Sequence, residues 1–389
     1  MEWVFEKSDA FIMKTYKRFK VVFERGEGVY LYSLDGKQYL DFLAGIAVNT
    51  LGHSHEVVVK ALRDQGEKLI HVSNLYYIKE QAELSQLLIE NSCCDRVFFS
   101  NSGAEANEAS IKIARKWGNP ERFKILSFNN SFHGRTIATL ALTGQKKYQK
   151  GFEPLPQGFD YVNFNDFEDF KSKVDKETVA VFVEFIQGEG GINVADKDFI
   201  KSVFDYCKSN GILFVADEIQ TGIGRTGKLF AYEHYGIEPD IITLAKGIAS
   251  GLPMGATLAK GRVADVLGFG DHGSTFGGNP LVSRVALDVL NFVLKEGLVE
   301  HAALMGDYLL KGLRDLAEEK DSIIRVDGLG LMVGVEFSEK QMADDVVKKA
   351  FEHNLLLGKA GEKTVRLEPP LIVEKNHIDK VLEFFRQHI

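Results

Sequence analysis

The chain has 389 residues, 45% of them hydrophobic and 26% charged, with a formal net charge of −8. Its length points to about two to three domains with sizeable cores. Its acidity argues against a general nucleic-acid binder and against affinity for anionic membranes. No apolar run is long enough to span a bilayer, and Met1-Glu2-Trp3-Val4-Phe5-Glu6-Lys7 lacks the basic-then-apolar opening of a signal peptide. Cys93 and Cys94 are adjacent and Cys207 is distant, which is neither a disulfide framework nor a zinc spacing. A reduced, cytoplasmic protein is expected.

The opening to about Arg25 is weakly patterned. Residues 28–42 read as a hairpin, with Asp35-Gly36 as the turn between alternating apolar residues. From about residue 80, helices and strands alternate. A helix with Leu84, Leu87 and Leu88 precedes the strand Arg96-Val97-Phe98-Phe99. The next helix sets Ala106, Ala109, Ile113 and Trp117 on one face. Strands follow over 124–127 and 179–183, then a helix over about 199–208, then the apolar runs 212–216 and 240–245. Such alternation predicts an α/β fold with a mostly parallel sheet covered by helices. After Pro280 the pattern becomes a smaller α+β unit. It has helices over about 281–295, 299–318 and 342–353, and strands near 323–326, 331–337, 355 and 364–367. The expected organisation is residues 1–45 joining a small domain, 46–280 as a large domain, and 281–389 completing the small one.

Several motifs sit where strands end. Asp217 closes the run 212–216 and Lys246 closes 240–245, so both should reach the carboxyl edge of the sheet, where open α/β folds bind ligands. For that pair alone, a surface salt bridge is the commoner arrangement. Asn101-Ser102-Gly103-Ala104-Glu105 reads as a tight turn into a helix, with Ser102 and Glu105 at capping-box spacing. The free amides of Gly103 and Ala104 there suit a phosphate, and Gly103 permits close approach. In Ser131-Phe132-His133-Gly134-Arg135, Phe132 can stack on a flat ring and Arg135 can grip a carboxylate, while His133 reads as structural. The segment Glu184-Phe185-Ile186-Gln187-Gly188-Glu189-Gly190-Gly191 suggests close backbone approach, with Glu189 as an arginine's partner. Ser274 and Thr275 lie in a glycine-rich loop suited to phosphate. Gly222-Ile223-Gly224-Arg225-Thr226-Gly227 matches a dinucleotide fingerprint only literally, since it neither follows a strand directly nor opens a helix. His53-Ser54-His55 has no third ligand at metal spacing.

Together these pieces, in order from Gly28 to about Val373, resemble the class III (subgroup II) aminotransferases of fold type I, which use pyridoxal 5'-phosphate. Residues 45–53 and 141–156 are similar to members that act on N2-acetylornithine. The resemblance implies that Lys246 bonds the cofactor aldehyde, that Asp217 pairs with its ring nitrogen, and that Gln220 lies near its phenolic oxygen. It implies that Phe132 stacks on the ring and that Ser102, Gly103 and Ala104 hold the phosphate. Thr275 would reach that phosphate from a neighbouring subunit, giving a homodimer with shared sites. Arg135 would bind the donor's α-carboxylate, and Arg366 that of glutamate. Glu189 would neutralise Arg366 while the ω-amine is bound, and Ile46 and Ser274 would border the substrate. The implied reaction is transamination of N2-acetylornithine with 2-oxoglutarate in arginine biosynthesis, with other ω-amines as alternative donors. A nicotinamide-dependent oxidoreductase would rest on the rejected glycine match. Phe185 stands where the family usually has proline, and Ile46 where ornithine aminotransferases have tyrosine.

Overall fold

Strands that are apolar on both faces need cover on both faces, and the computed structural model, which describes residues 1–389, builds its larger part on this requirement. Seven strands form the central sheet: β1 (Arg96–Ser100), β2 (Lys124–Phe128), β3 (Phe159–Val162), β4 (Thr178–Val183), β5 (Leu213–Asp217), β6 (Ile241–Leu244) and β7 (Gly255–Ala259). Their spatial order is β1-β7-β6-β5-β4-β2-β3. The pairs β4·β5, β5·β6, β2·β4 and β2·β3 are parallel, whereas β7 runs antiparallel between β6 and β1. Every residue of β4, β5, β6 and β7 is buried.

Register places the chemistry. Asp217 pairs with Thr243 across β5 and β6, so Asp217 and Lys246 leave neighbouring strands at the same edge. The loops after β1, β2 and β4 leave at that edge too, which brings five separate segments together.

The smaller part uses both chain ends. Strands Phe23–Glu27, Tyr30–Ser33 and Gln38–Asp41 form a meander, extended in parallel by Leu355–Leu356. A second sheet orders Ile323–Leu329, Met332–Phe337, Thr364–Leu367 and Gly358–Ala360. One apolar core joins Val29, Phe42 and Leu51 to Leu309, Phe337, Leu367 and Phe385. Helix Pro280–Lys295 serves two cores: Val285, Val289 and Val293 enter this one, and Ala286 and Leu290 pack on the central sheet's side.

Some elements differ from the sequence pattern. The amino-terminal helix Glu2–Phe11 buries no residue, so no apolar stripe marks it. Strand β7, Gly-Ala-Thr-Leu-Ala, lacks the bulky β-branched run that marks β5 and β6. Trp117 is 40% exposed, while Ala106, Ala109 and Ile113 of its helix are buried; Trp117 stands in the last turn of that helix, which ends at Gly118. No helix is long and apolar enough to cross a membrane.

Candidate active site

The floor of the site begins with Asp217, which is 4% exposed. Its Oδ2 accepts hydrogen bonds from Asn107 Nδ2 at 2.8 Å and His133 Nδ1 at 2.7 Å, and its Oδ1 accepts the Ile219 amide at 3.2 Å. Asn107 also donates to the His133 carbonyl at 2.8 Å, and Thr143 Oγ1 accepts the His133 amide at 2.9 Å. Burial works against a charged His133, yet the bond and charge of Asp217 prevail and raise its pKa above the ordinary value. Beside it, burial pushes the Glu184 carboxyl up to about 7. Glu184 Oε2 accepts the Phe132 amide at 2.9 Å, which ties the loop after β4 to the loop after β2.

A cavity of about 420 Å³ opens above this floor. Ser102, Gly103, Ala104, Phe132, Asp217, Gln220 and Lys246 all line it. Ser102 caps helix Gly103–Gly118, with Oγ accepting from the Glu105 amide at 3.2 Å. Glu105 does not complete the expected reciprocal box, because its carboxylate reaches the Asn101 amide instead, at 2.5 Å. The first helical amides, Gly103 and Ala104, have no intrahelical acceptor and face an anion-sized space. Gly103 itself is required by a different neighbour than a ligand: a Cβ there would lie 2.8 Å from Ile219 Cδ1. Gln220 Oε1 packs so closely on Gly188 that a Cβ would meet it at 1.6 Å, and Gln220 Nε2 is buried without a partner. A flat heteroaromatic bearing a phosphate and a ring oxygen matches these donors, Phe132 and the remaining acceptor capacity of Asp217.

Lys246 follows β6 with a positive φ of 41°, and no protein group bonds its Nζ. Burial lowers its pKa, opposed first by Glu368 and then by Glu189. A second cavity adjoins the first and shares Val48, Phe132, Arg135, Glu189 and Lys246 with it. Ile46 lines this outer cavity from an unusual turn. Ala44, Gly45, Ile46 and Ala47 all have positive φ, between 50° and 68°. Left-handed backbone costs a non-glycine residue about 1–2 kcal/mol, so the turn needs outside support. Asp41 supplies it: Oδ1 accepts the Leu43 and Ala44 amides at 2.9 Å each, and Oδ2 pairs with His53 Nε2 at 2.8 Å. Thr50 Oγ1 then donates to the Gly247 carbonyl at 2.8 Å, fastening the segment beside Lys246.

Two arginines face these spaces differently. Arg135 is exposed and has no hydrogen bond or ion pair within the protein; its guanidinium lies 4.0 Å from the Tyr148 ring centroid. Arg366 is buried, and its Nη1 meets Glu189 Oε1 at 2.6 Å and the Gly188 carbonyl at 3.2 Å. Burial tends to raise the Glu189 pKa, but Arg366 and Lys246 hold it below the ordinary value.

The model of the class-III aminotransferases matches residues 11–389. The chain belongs to the class-III aminotransferases. It is 48% identical to the acetylornithine aminotransferase of Methanocaldococcus jannaschii over 95% of this chain and 94% of that one. It also resembles two solved structures. The ornithine aminotransferase from Toxoplasma gondii, crystallised with oxidised glutathione and partly occupied by PLP at its active site, has a TM-score of 0.94 and 33% identity, covering 99% of this chain and 93% of that one. The acetylornithine aminotransferase from Elizabethkingia anophelis has a TM-score of 0.89 and 34% identity, covering 99% and 98%.

In this class-III chain the aromatic at the family's proline position is a packing residue. Phe185 is fully buried and stacks on Tyr235 with ring centroids 4.9 Å apart. Thr275 and Ser274 line neither cavity. Thr275 is exposed, and Ser274 Oγ accepts from Asn101 Nδ2 at 3.1 Å. The glycine run 222–227 is a turn, and its Arg225 is buried, donating to the carbonyls of Leu331 and Pro369. Motif reading missed Asn107, Asp41, His53, Arg225 and Glu368. Asn107 lies one turn inside a helix whose pattern predicted only burial. The only sequence mark of Glu368 is a charge inside Arg366-Leu367-Glu368-Pro369-Pro370.

Proposed function

We propose that this aminotransferase moves the δ-amino group of N2-acetylornithine to 2-oxoglutarate, giving N-acetylglutamate 5-semialdehyde and glutamate, a step of arginine biosynthesis. The observation that carries this reading is the contrast between the two arginines. Arg366 is closed off by Glu189, whereas Arg135 is free at the rim of the outer cavity. A donor whose only carboxylate is remote from its reacting amine then engages Arg135 and leaves Arg366 paired. The acceptor carries two carboxylates, and its α-carboxylate takes the place of Glu189 on Arg366.

The outer cavity supports an acylated donor over a free diamino acid. It is lined by Tyr16, Ile46, Ile137, Leu140, Tyr148 and Phe152, and its only carboxylate, Glu189, is committed to Arg366. A free α-ammonium would be desolvated there without an anion, which is costly. An amide nitrogen is neutral and avoids that cost. The names of the curated relatives point the same way.

Ser102, Gly103 and Ala104 would hold pyridoxal 5'-phosphate, which when bound would supply an aldehyde that bonds primary amines and a ring that withdraws electrons from the neighbouring carbon. Asp217, held in place by its hydrogen bonds from Asn107 and His133, would hold a proton on the ring nitrogen. Phe132 would cover one ring face, and Gln220 Nε2, buried without a partner, would donate to the ring oxygen. Lys246, whose Nζ no protein group bonds, would carry the proton taken from the donor's amine-bearing carbon, as base and then acid. Its lowered pKa favours the neutral amine this task needs. Glu189 shields Arg366 during the first half-reaction.

We also assign a homodimer. Leu75, Tyr76, Tyr77, Phe269 and Phe276 are exposed, and Asn74 ties their two segments by bonding the Ser274 and Gly277 carbonyls at 3.0 Å each. Thr275 lies within this apolar surface, placed to serve a second subunit. The test of the substrate is kcat/KM for acetylornithine, succinyl-diaminopimelate, ornithine and 4-aminobutyrate, each with 2-oxoglutarate. Acetylornithine is expected to lead; ornithine or 4-aminobutyrate leading by a wide margin rejects the assignment.

A further inference from the structure

Arg366 has a second carboxylate beside it. Glu368 is 0% exposed, and its Oε2 lies 3.3 Å from Arg366 Nε. Neither Glu368 oxygen has a hydrogen-bond partner, and neither does Arg366 Nε. The backbone fixes the residue in place: the Glu368 amide donates to the Phe42 carbonyl at 2.7 Å. Arg225, another buried cation on which its charge bears, is already engaged by the carbonyls of Leu331 and Pro369. Glu368 also heads the charges that act on Lys246.

Stability alone does not account for this arrangement. Glu189 already neutralises Arg366, and a buried carboxylate with unsatisfied oxygens costs free energy. The two acids differ in freedom. Glu189 sits on the loop after β4 with its side chain 25% exposed, so it can leave toward solvent; Glu368 is sealed in at the end of strand Thr364–Leu367. Without Glu368, the departure of Glu189 would leave a buried guanidinium with no carboxylate beside it, which is strongly unfavourable.

We propose that Glu368 is the standing partner of Arg366, keeping the guanidinium compensated and aimed while Glu189 is exchanged for the α-carboxylate of the dicarboxylate acceptor. Nε faces the fixed acid, and Nη1 faces the exchangeable one. Glu368 is therefore a positioning residue that acts through Arg366 and chiefly in the second half-reaction. This rests on the reading of Arg366 as the acceptor's α-carboxylate site.

The test uses the holoenzyme and measures each half-reaction separately. Glu368→Gln keeps the volume and removes the charge. It is expected to raise KM for 2-oxoglutarate about tenfold, with a much smaller factor for acetylornithine. Calorimetric binding of glutarate, which has both carboxylates and no keto group, should weaken by a similar factor. An unchanged or lower KM and Kd overturns the proposal, as does an equal change in both half-reactions. If Glu368→Gln yields no folded protein, Glu368→Asp, whose carboxylate sits one methylene farther back, should shift the same quantities less in the same direction. Arg366→Ala, run alongside, separates the two ideas. No effect on 2-oxoglutarate there rejects the acceptor-site reading, whereas an effect there with none at Glu368 rejects only the standing partner.

Discussion

On the floor of the cavity the two carboxylates are met by fixed N–H donors. Asp217 takes three N–H donors within 3.2 Å, and Glu184 takes the Phe132 amide. At the substrate wall the charges are left over or held by partners that can leave. Arg135 is unpaired, Arg366 leans on the partly exposed Glu189, and the oxygens of Glu368 are unsatisfied. The contrast follows from what each region must do. A group that never leaves can be met by a rigid, fully bonded surface. Two substrates that alternate in one space need contacts that break, and a saturated network would resist exchange.

The largest predicted effect breaks the floor. Lys246→Ala removes the amine that carries the proton, and turnover should fall at least about 10³-fold. Near-normal turnover would mean that the lysine at the end of β6 has another role. A smaller effect breaks the wall. Asp41→Asn weakens the support of the left-handed turn at 44–47, which carries Ile46. We expect kcat/KM for acetylornithine to drop about fivefold to tenfold, since a small misplacement of a substrate-positioning surface is enough for that. The acceptor half-reaction should change less. If both fall together, Asp41 supports the whole site and not the donor wall in particular.

The two regions also differ in how far they can be read from sequence. Asp217 and Lys246 were legible because a continuous apolar run ends in a charge, and a parallel strand has one functional end. The turn at Ser102 and the glycines near Glu189 were legible for the same reason, as punctuation at strand ends. Asn107 and His133 were not assigned to Asp217, because that contact joins a helix interior to a loop across the sheet. The left-handed turn escaped altogether: Ala-Gly-Ile-Ala contains one glycine, and nothing in the residue types announces that Asp41 and His53 will hold three other residues at positive φ. Glu368 is hidden in another way, since its importance is the absence of hydrogen bonds, and pattern cannot show an absence. Family resemblance supplied the roles of Arg135, Arg366 and Glu189. Pattern alone offered only an arginine and an acid.

The smallest effect sharpens the comparison through pH. Burial raises Glu184 to about 7 in the folded chain, with the charge of His133 opposing and that of Asp217 reinforcing. In the unfolded chain this carboxyl releases its proton near its ordinary value, about 4.3. Between those two values the folded state binds more protons than the unfolded one, so stability falls as pH rises. His133 acts in a different window. With its pKa raised by Asp217, its contribution is fully present below the ordinary histidine value and is lost as pH climbs through the raised one. Glu184→Gln should therefore flatten the decline in Tm from about pH 4.5 to 7 by roughly 2–4 °C and leave most of the decline above pH 7 in place. If the variant's Tm kept the wild-type slope below pH 7, Glu184 would be ionised throughout. The floor would then carry one more full charge beside Asp217, and its stability would depend on His133 remaining protonated.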